Sequence, residues 1–308
     1  MSTGVLSEPA CISTYEIVGA KGAPIVLVMG GISATRHICR SAIDPSPGWW
    51  EGVVGTGKVL DPAHRQILGV DWIDGGRGPD GKPERVVTTH DQAAAIVALL
   101  DELEIERLDA VVGASYGGMV GLALAERWPE RVGRLVVISA AHEAHTMSVA
   151  IRAIQRRIVE LGLGTGQETE AMALARALAM TTYRTANELA ERFGVEPLVG
   201  KGGRIDFDVE RYLMHSGFKF AARVSPARFL ALSLSIDMHR VIPERVQVRT
   251  TVIAAEGDTL VPASQTRELA RRLPRLDARV MLRSRAGHDG FLVEPDRLGL
   301  LLSTALAD

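Results

Sequence analysis

The sequence predicts an α/β fold: a mostly parallel sheet with helices on both faces, plus a helical insertion. Three observations support this prediction. Short apolar runs alternate with longer segments rich in Ala and Leu, which is the pattern of βαβ units. Between residues 146 and 240 the alternation stops, and only helical patterns occur. The chain has 308 residues, 46% of them hydrophobic, which suits one large domain that carries an insertion.

The predicted strands are short apolar runs that end at Gly or at polar residues, as expected for strands buried on both faces. The first run, PIVLVM at 24–29, stops at Gly30 and Gly31. The further strands are predicted, in chain order, at 66–70, 108–113, 134–139, 249–254 and 278–282.

Helices are predicted between these strands and throughout the insertion. The helix at 91–103 has Asp91 in its first turn, and either Thr88 or Thr89 can cap it. The other helices are predicted at 117–127, 146–161, 166–181, 186–194, 208–215, 226–237, 263–272 and 294–306. We therefore divide the chain into a first core part (1–145), a helical lid insertion (146–240) and a second core part (241–308).

Composition excludes several classes of protein. With 35 basic and 37 acidic residues the net charge is −2, so we expect no nucleic-acid or anionic-membrane partner. The only cysteines, Cys11 and Cys39, exclude a disulfide framework and a Cys-based zinc site. No run of 18 apolar residues and no signal-peptide pattern is visible, so we expect a cytoplasmic protein.

A nucleophile motif lies at the end of the third predicted strand. Residues 113–117 read Gly-Ala-Ser-Tyr-Gly, a G-x-S-x-G match that directly precedes a predicted helix. Ser115 would occupy a sharp, strained turn, and the small residues on either side would let the strand and the helix pass closely. The start of the helix would also offer free N–H groups to a developing negative charge. We therefore predict that Ser115 is a nucleophile.

A nucleophilic serine needs a base, and the base needs an acid to orient it. Asp258 and His288 each follow a predicted strand, at the sheet edge where parallel sheets place their sites. Their order after the serine, acid and then histidine, is the order that this motif requires. The predicted catalytic residues are Ser115, Asp258 and His288. Glu256, which lies closer to its strand, is the alternative acid.

An oxyanion hole needs two backbone donors. We predict that one is the N–H of Tyr116, immediately after the nucleophile. The other is predicted in the loop after the first strand, at Ile32, with Gly31 as the alternative.

Two other patterns are rejected. Residues 52–58 resemble a phosphate-binding loop, but Val59 stands where that loop needs Ser or Thr, and no buried strand precedes it. His142 and His145 lie three residues apart without a third ligand at a suitable spacing, so we expect no metal site.

Over nearly its whole length the chain resembles the homoserine O-acyltransferases, enzymes of methionine biosynthesis with the α/β-hydrolase fold. The segments that carry the resemblance are GGISATRH (30–37), GWWEGVVGTGKVLD (48–61), GASYGGM (113–119), ARALAMTTYRTANELAERFG (175–194), VERYLMHSGFKFAARV (209–224), RFLALSLSIDMHRV (228–241), DTLVPASQTRELARRLP (258–274) and AGHDGF (286–291).

The resemblance implies transfer of an acyl group from acyl-CoA, as co-substrate, to the hydroxyl of L-homoserine or of a similar amino acid such as serine. It implies a ping-pong mechanism in which Ser115 is acylated, and no cofactor. It also implies a homodimer through the lid. A hydrolase that uses the same three residues with water, such as an esterase, thioesterase or lactonase, is the alternative.

The family's acceptor-binding residues map by motif onto Arg176, Tyr183 and Asp289. A guanidinium suits a substrate carboxylate, and a carboxylate suits an α-ammonium group. These polar residues favour transfer over hydrolysis.

The chain departs from the family pattern at the start of the insertion. The usual Asp-Pro-x-Trp segment is missing after Arg156, and Arg152-Ala153 replaces the usual Asn-Glu pair. The segment IRAIQRR (151–157) looks more like members that use succinyl-CoA. Arg152 and Arg156 are therefore candidate partners of a succinyl carboxylate, although a helix-surface arginine is an equally good interpretation.

Overall fold

The computed structural model describes residues 2–5, 14–203 and 205–307. Its strands are β1 (Ser2–Val5), β2 (Thr14–Val18), β3 (Ile25–Met29), β4 (Gln66–Val70), β5 (Leu108–Ala114), β6 (Val132–Ile138), β7 (Leu198–Val199), β8 (Ile205–Asp206), β9 (Arg249–Ala255) and β10 (Leu276–Leu282). Eight of these strands form the main sheet, in the order β1-β2-β4-β3-β5-β6-β9-β10. In this sheet the pairs β1·β2 and β2·β4 are antiparallel and the other pairs are parallel.

The helices, among the described residues, are α1 (Thr89–Glu102), α2 (Tyr116–Arg127), α3 (Thr146–Gly162), α4 (Glu168–Tyr183), α5 (Ala186–Arg192), α6 (Asp208–Ala221), α7 (Pro226–Asp237), α8 (Ala263–Arg272), α9 (Gly290–Val293) and α10 (Pro295–Ala305). None of these helices combines the length and the hydropathy needed to span a bilayer.

The mostly parallel α/β sheet is confirmed, and each of the six predicted strands is present. Alternation along β3 shows why both faces are covered. Leu27 and Met29 face a core that includes residues of α1 and α2, whereas Val26 and Val28 face one that includes residues of α10. Cys39 is buried with a free thiol, and Cys11 lies outside the described residues.

Strand β2 was not predicted. It joins β1 to the rest of the sheet by antiparallel pairing, with Tyr15 opposite Val70 and Ile17 opposite Leu68. Its sequence, TYEIV, carries the charged Glu16 in the middle, and this side chain is buried beside His37 at 3.1 Å. The carboxylate interrupts the apolar run from which the other strands were predicted.

The segment 146–240 contains helices α3 to α7, as the helical pattern predicts, and the two-residue ribbon β7·β8. Helix α6 extends to Ala221, past the predicted end at 215, because Gly217 serves close packing rather than a helix stop. A Cβ atom at Gly217 would lie 2.3 Å from the carbonyl oxygen of Ala173 on α4.

Thr88 caps α1 in a capping box with Asp91. The division of the chain into a first core part (1–145), a helical lid (146–240) and a second core part (241–308) stays a proposal.

Candidate active site

Ser115 occupies the turn between β5 and α2 with φ 54° and ψ −120°, a strained backbone conformation for a non-glycine residue. The flanking glycines make this turn possible. A Cβ atom at Gly113 would lie 2.3 Å from the carbonyl oxygen of Gly117, and one at Gly117 would lie 2.4 Å from that of Met29. The turn is anchored by the Ser115 amide, which donates to the carbonyl of Ile138 at 2.8 Å.

His288 lies in a single 3-10 turn after β10, and its ring is buried. Its Nε2 atom is 2.8 Å from Ser115 Oγ, and its Nδ1 atom is 2.8 Å from Asp258 Oδ2. The tautomer that donates Nδ1–H to the carboxylate leaves the Nε2 lone pair facing the serine hydroxyl. The ring is therefore placed to remove the hydroxyl proton.

The carboxylate of Asp258 is held by the backbone that follows it. Its Oδ1 atom accepts hydrogen bonds from the amides of Leu260 and Val261, each at 2.9 Å, so Oδ2 is directed toward His288. The alternative acid, Glu256, is exposed and borders a surface depression with Thr185 and Arg285. The structure thus brings Ser115, His288 and Asp258 together, and it leaves Glu256 outside the group.

Two opposing effects act on the pKa of His288. Burial of the ring lowers it, and the negative charge and hydrogen bond of Asp258 raise it; the net result is a pKa above the ordinary 6.5. The imidazolium that forms when the ring takes a proton is therefore stabilised inside the site.

The predicted oxyanion donors, Ile32 and Tyr116, line the same cavity as Ser115. Tyr116 is the first residue of α2, a position whose N–H has no acceptor within its own helix. Gly31 and Ile32 line the cavity in front of Ser115. Their loop is tied to the nucleophile turn by the Gly117 amide, which donates to the carbonyl of Gly30 at 2.8 Å. The roles of Ile32 and Tyr116 remain predictions.

A cavity of about 250 Å³ opens above Ser115 and His288. Residues that follow the parallel strands form one wall, and α3, α4 and α7 contribute the other. Arg176, Tyr183, Asp289 and Arg152 all line this space, whereas Arg156 is not among the described residues that line it.

Arg176 and Tyr183 lie together beside His288. The Arg176 guanidinium carbon is 4.8 Å from the ring centroids of both Tyr183 and Phe220, and its Nη1 atom is 3.4 Å from the Tyr183 hydroxyl. The Tyr183 ring stacks on His288 with centroids 6.0 Å apart. Within the described part of the chain, no carboxylate forms an ion pair with Arg176.

Asp289 follows the histidine and is paired with Arg184, whose Nε atom is 3.1 Å from Asp289 Oδ2. Burial raises the pKa of the Asp289 carboxyl, and the positive charge of Arg184 offsets part of that effect. Arg184 was not predicted, although it stands next to Tyr183 in the sequence. Arg176 and Asp289 are two of the charged side chains that line the cavity, one a cation and the other a carboxylate, and together they suit a ligand that carries both charges.

Arg152 and Arg156 share the carboxylate of Asp237 at the end of α7. Arg152 Nε lies 2.5 Å from Oδ1, and Arg156 Nη1 lies 2.6 Å from Oδ2 and 3.0 Å from Ser233 Oγ. Two guanidinium groups on one carboxylate leave an excess positive charge next to the cavity. No sequence spacing pointed to Asp237, because its partners belong to a different helix.

The two rejected patterns have structural roles. Residues 52–58 form turns closed by a bridge between Val54 and Leu60, and they lie next to the stacked rings of Trp49 and Trp50. His142 is buried with Nε2 3.2 Å from Arg272 Nη1, and burial lowers its pKa. Among the described residues, no three His, Cys, Asp or Glu side chains are grouped to hold a metal ion.

Comparison with known proteins places this geometry in context. Residues 24–295 match the family model described as the alpha/beta hydrolase fold. The chain is 48% identical to a homoserine O-succinyltransferase of Xanthomonas campestris over 95% of its length and 78% of the relative. It is 33% identical to a homoserine O-acetyltransferase of Thermobifida fusca over 98% of its length and 92% of the relative.

Solved structures show the same fold. The crystal structure of esterase E22 superposes with a TM-score of 0.87 at 18% identity, covering 99% of this chain and 100% of that one. The homoserine O-acetyltransferase from Bacillus anthracis gives 0.87 at 18% identity, covering 100% and 97%. Because both an esterase and an acyltransferase share this architecture, the fold alone does not distinguish hydrolysis from transfer.

Proposed function

The chain is an acyltransferase that belongs to the homoserine O-acyltransferase family of the α/β-hydrolase fold, and on this premise we propose that it acylates the hydroxyl of L-homoserine from an acyl-CoA donor. One observation carries the proposal. A hydrogen-bonded Ser115–His288–Asp258 set opens into a cavity that also holds Arg176 and Asp289, the charges needed for an amino-acid acceptor.

The proposed reaction has two half-reactions. Ser115 Oγ attacks the thioester carbonyl while His288 Nε2 takes the hydroxyl proton, and Asp258 stabilises the resulting imidazolium. The tetrahedral intermediate collapses, the C–S bond breaks, and His288 returns the proton to the departing CoA thiolate. Ser115 is then an ester of the acyl group. The N–H groups of Ile32 and Tyr116 would stabilise the oxyanion of this intermediate.

In the second half-reaction the acceptor hydroxyl attacks the acyl-serine ester. His288 takes the proton of that hydroxyl and delivers it to Ser115 Oγ as the ester bond breaks. Arg176 would bind the acceptor carboxylate and Asp289 its α-ammonium group, with Tyr183 beside them. These contacts would place the acceptor hydroxyl next to His288, because Tyr183 stacks on that ring. Serine, which is one methylene shorter, is the alternative acceptor.

For the acyl group we favour succinyl over acetyl. The relative from Xanthomonas campestris is named a succinyltransferase, and Arg152 lines the cavity as a cation that could bind a second carboxylate. Arg156 is not among the described residues that line the cavity, and it is held by Asp237 and Ser233. It would therefore support Arg152 rather than contact the donor.

Hydrolysis is the competing function, supported by the fold shared with esterase E22. Charged acceptor groups favour transfer, since water needs neither Arg176 nor Asp289 for binding. A cytoplasmic location and a homodimer formed through the lid belong to the same proposal. The dimer has support in a stripe of exposed apolar side chains along α3, at Met147, Ile154 and Leu161.

The deciding experiment measures thiol release from succinyl-CoA and acetyl-CoA, each with homoserine, with serine and without an acceptor. Release that depends on homoserine, together with O-acylhomoserine detected by mass spectrometry, would support the proposal and identify the donor. Equal release without any amino acid would make water the acceptor and establish the hydrolase alternative. No release from either donor would contradict both the acyl-CoA proposal and a CoA thioesterase.

A further inference from the structure

Trp72 lies directly beyond the carboxyl end of β4. It contacts Tyr116, one proposed oxyanion donor, and Gly31, which precedes the other proposed donor in the chain. Its indole Nε1 donates a hydrogen bond to the carbonyl oxygen of Gly31 at 3.0 Å. Its ring meets the Tyr116 ring edge-on, with centroids 4.9 Å apart and an interplanar angle of 76°. Trp72 is only 4% exposed, so these contacts hold it within the core.

The bond to Gly31 controls the direction of the next amide. In a planar trans peptide, the carbonyl oxygen of one residue and the N–H of the next point to opposite sides. Two donors fix the Gly31 oxygen, namely Trp72 Nε1 at 3.0 Å and the Ala34 amide at 2.9 Å. Fixing this oxygen also fixes the N–H of Ile32, the proposed loop donor.

Trp72 is itself anchored by helix α7 of the insertion. Arg228 Nη1 donates to the Trp72 carbonyl at 2.9 Å, and the Tyr116 hydroxyl lies 2.7 Å from Ser235 Oγ. Tyr116 is 1% exposed, so the second oxyanion residue is locked between Trp72 and the same helix. Trp72 thus connects α7 to both halves of the proposed oxyanion hole, through its backbone carbonyl on one side and its indole on the other.

We propose that Trp72 is a positioning residue that orients the oxyanion hole through the Gly31–Ile32 peptide. This inference rests on the proposed Ser115 acyl chemistry. Because the same hole would serve the tetrahedral intermediates of both half-reactions, losing the indole N–H slows acylation of Ser115 and deacylation by about the same factor. Ground-state binding of acyl-CoA and of the amino acid does not depend on this orientation, so their affinities are retained.

The test is Trp72→Phe, which removes the N–H and keeps an aromatic ring against Tyr116. Deletion of a whole oxyanion donor costs roughly 100- to 1,000-fold in kcat, so misorientation of one donor should cost about 10- to 100-fold. We expect kcat to fall by that factor in both half-reactions with little change in KM. A trifluoromethyl ketone that adds to Ser115 as a tetrahedral oxyanion should lose affinity by the same factor.

The matched control is Trp128→Phe. The Trp128 indole packs against the same apolar core as Trp72, but Trp128 is not among the described residues that line the cavity above Ser115. Equal loss of trifluoromethyl ketone affinity in the two variants would overturn the proposal, because the effect would then be one of general packing. Unchanged ketone affinity in Trp72→Phe would overturn it as well.

The nucleophile is tested separately from Trp72. Ketone binding that survives Ser115→Ala would defeat the proposed serine chemistry itself, whatever Trp72 does. Ketone binding that is lost in Ser115→Ala but unaffected in Trp72→Phe would leave that chemistry standing and reject only the role of Trp72.

Discussion

Arg152 binds Asp237 through the Nε atom of its guanidinium group, which donates a 2.5 Å hydrogen bond to Asp237 Oδ1. Within the described part of the chain, the terminal nitrogens of Arg152 have no carboxylate partner of their own. Arg156 satisfies the other oxygen of the same carboxylate. The arginine at the cavity is therefore fixed in place and still has donors left for an anionic substrate group.

This arrangement makes Arg152 the test of donor choice. Replacing Arg152 with Leu should lower kcat/KM for succinyl-CoA by about 10- to 100-fold, since a charge-assisted hydrogen bond contributes roughly 1.5–3 kcal/mol. Acetyl-CoA, which lacks the distal carboxylate, should lose far less. Asp237 keeps its pair with Arg156, so no buried charge is stranded. The control is Arg157→Leu on the exposed face of the same helix; equal losses with both donors would contradict the assignment.

Ser115→Ala should abolish formation of the acyl-enzyme. Removing the nucleophile of a serine triad costs on the order of a millionfold in kcat. Intact-protein mass spectrometry after incubation with the donor should show an acyl adduct in the wild type and none in the variant. Circular dichroism should show that the fold is retained. Substantial transfer by a folded Ser115→Ala enzyme would rule out the ping-pong mechanism.

The pH profile should report the raised pKa of His288. The ring must be neutral to take a proton, so kcat/KM should rise with pH through a midpoint above 6.5. Asp258→Asn should move this midpoint to lower pH, because it removes the charge that stabilises the imidazolium. The same raised pKa adds stability that is present below about pH 6.5 and is lost as pH rises through the folded-state value. If Asp258→Asn leaves the midpoint unchanged, a group other than His288 controls the rise of kcat/KM with pH.

Arg176→Ala should separate the two half-reactions. We expect the KM for homoserine to rise by about 10-fold or more, while burst release of CoA in the absence of acceptor stays close to wild type. Arg192→Ala is the matched control, because Arg192 also lies over aromatic rings, those of Phe193 and Tyr212, but outside the cavity. Equal damage to the burst and to acceptor turnover would count against carboxylate binding by Arg176.

Gly117→Ala should destabilise the protein strongly, since the new Cβ atom would lie 2.4 Å from the Met29 carbonyl oxygen and the backbone there cannot yield cheaply. Gly299→Ala on α10 meets nothing within 4 Å and should raise stability by up to about 1 kcal/mol through helix propensity. Thermal unfolding of the two variants gives the comparison. A Tm for Gly117→Ala equal to that of the wild type would show that the strand and the helix do not pass as closely as described.

Much of the sheet and of the candidate site could be predicted because the signals are local. A buried parallel strand is a short apolar run, and a strand–Ser–helix turn needs small residues at fixed offsets from Ser115. His288 and Asp258 follow their strands directly, and parallel strands bring their carboxyl ends to one edge. Strand β2 was missed because Glu16 interrupts its apolar pattern, although this carboxylate is buried in the folded chain.

The α/β class and the strand-to-helix position of Ser115 follow from the sequence, because each depends on neighbours a few positions away, and the chain order of Ser115, Asp258 and His288 can be read from it directly. The packing of distant elements was needed to show that Asp258 rather than Glu256 faces His288, and that Asp237 binds Arg152 from 85 positions away. It also decided that Trp72 holds the Gly31 carbonyl across 41 positions. Such pairs form only when distant elements pack, and their orientation depends on loop and helix geometry that no local pattern encodes.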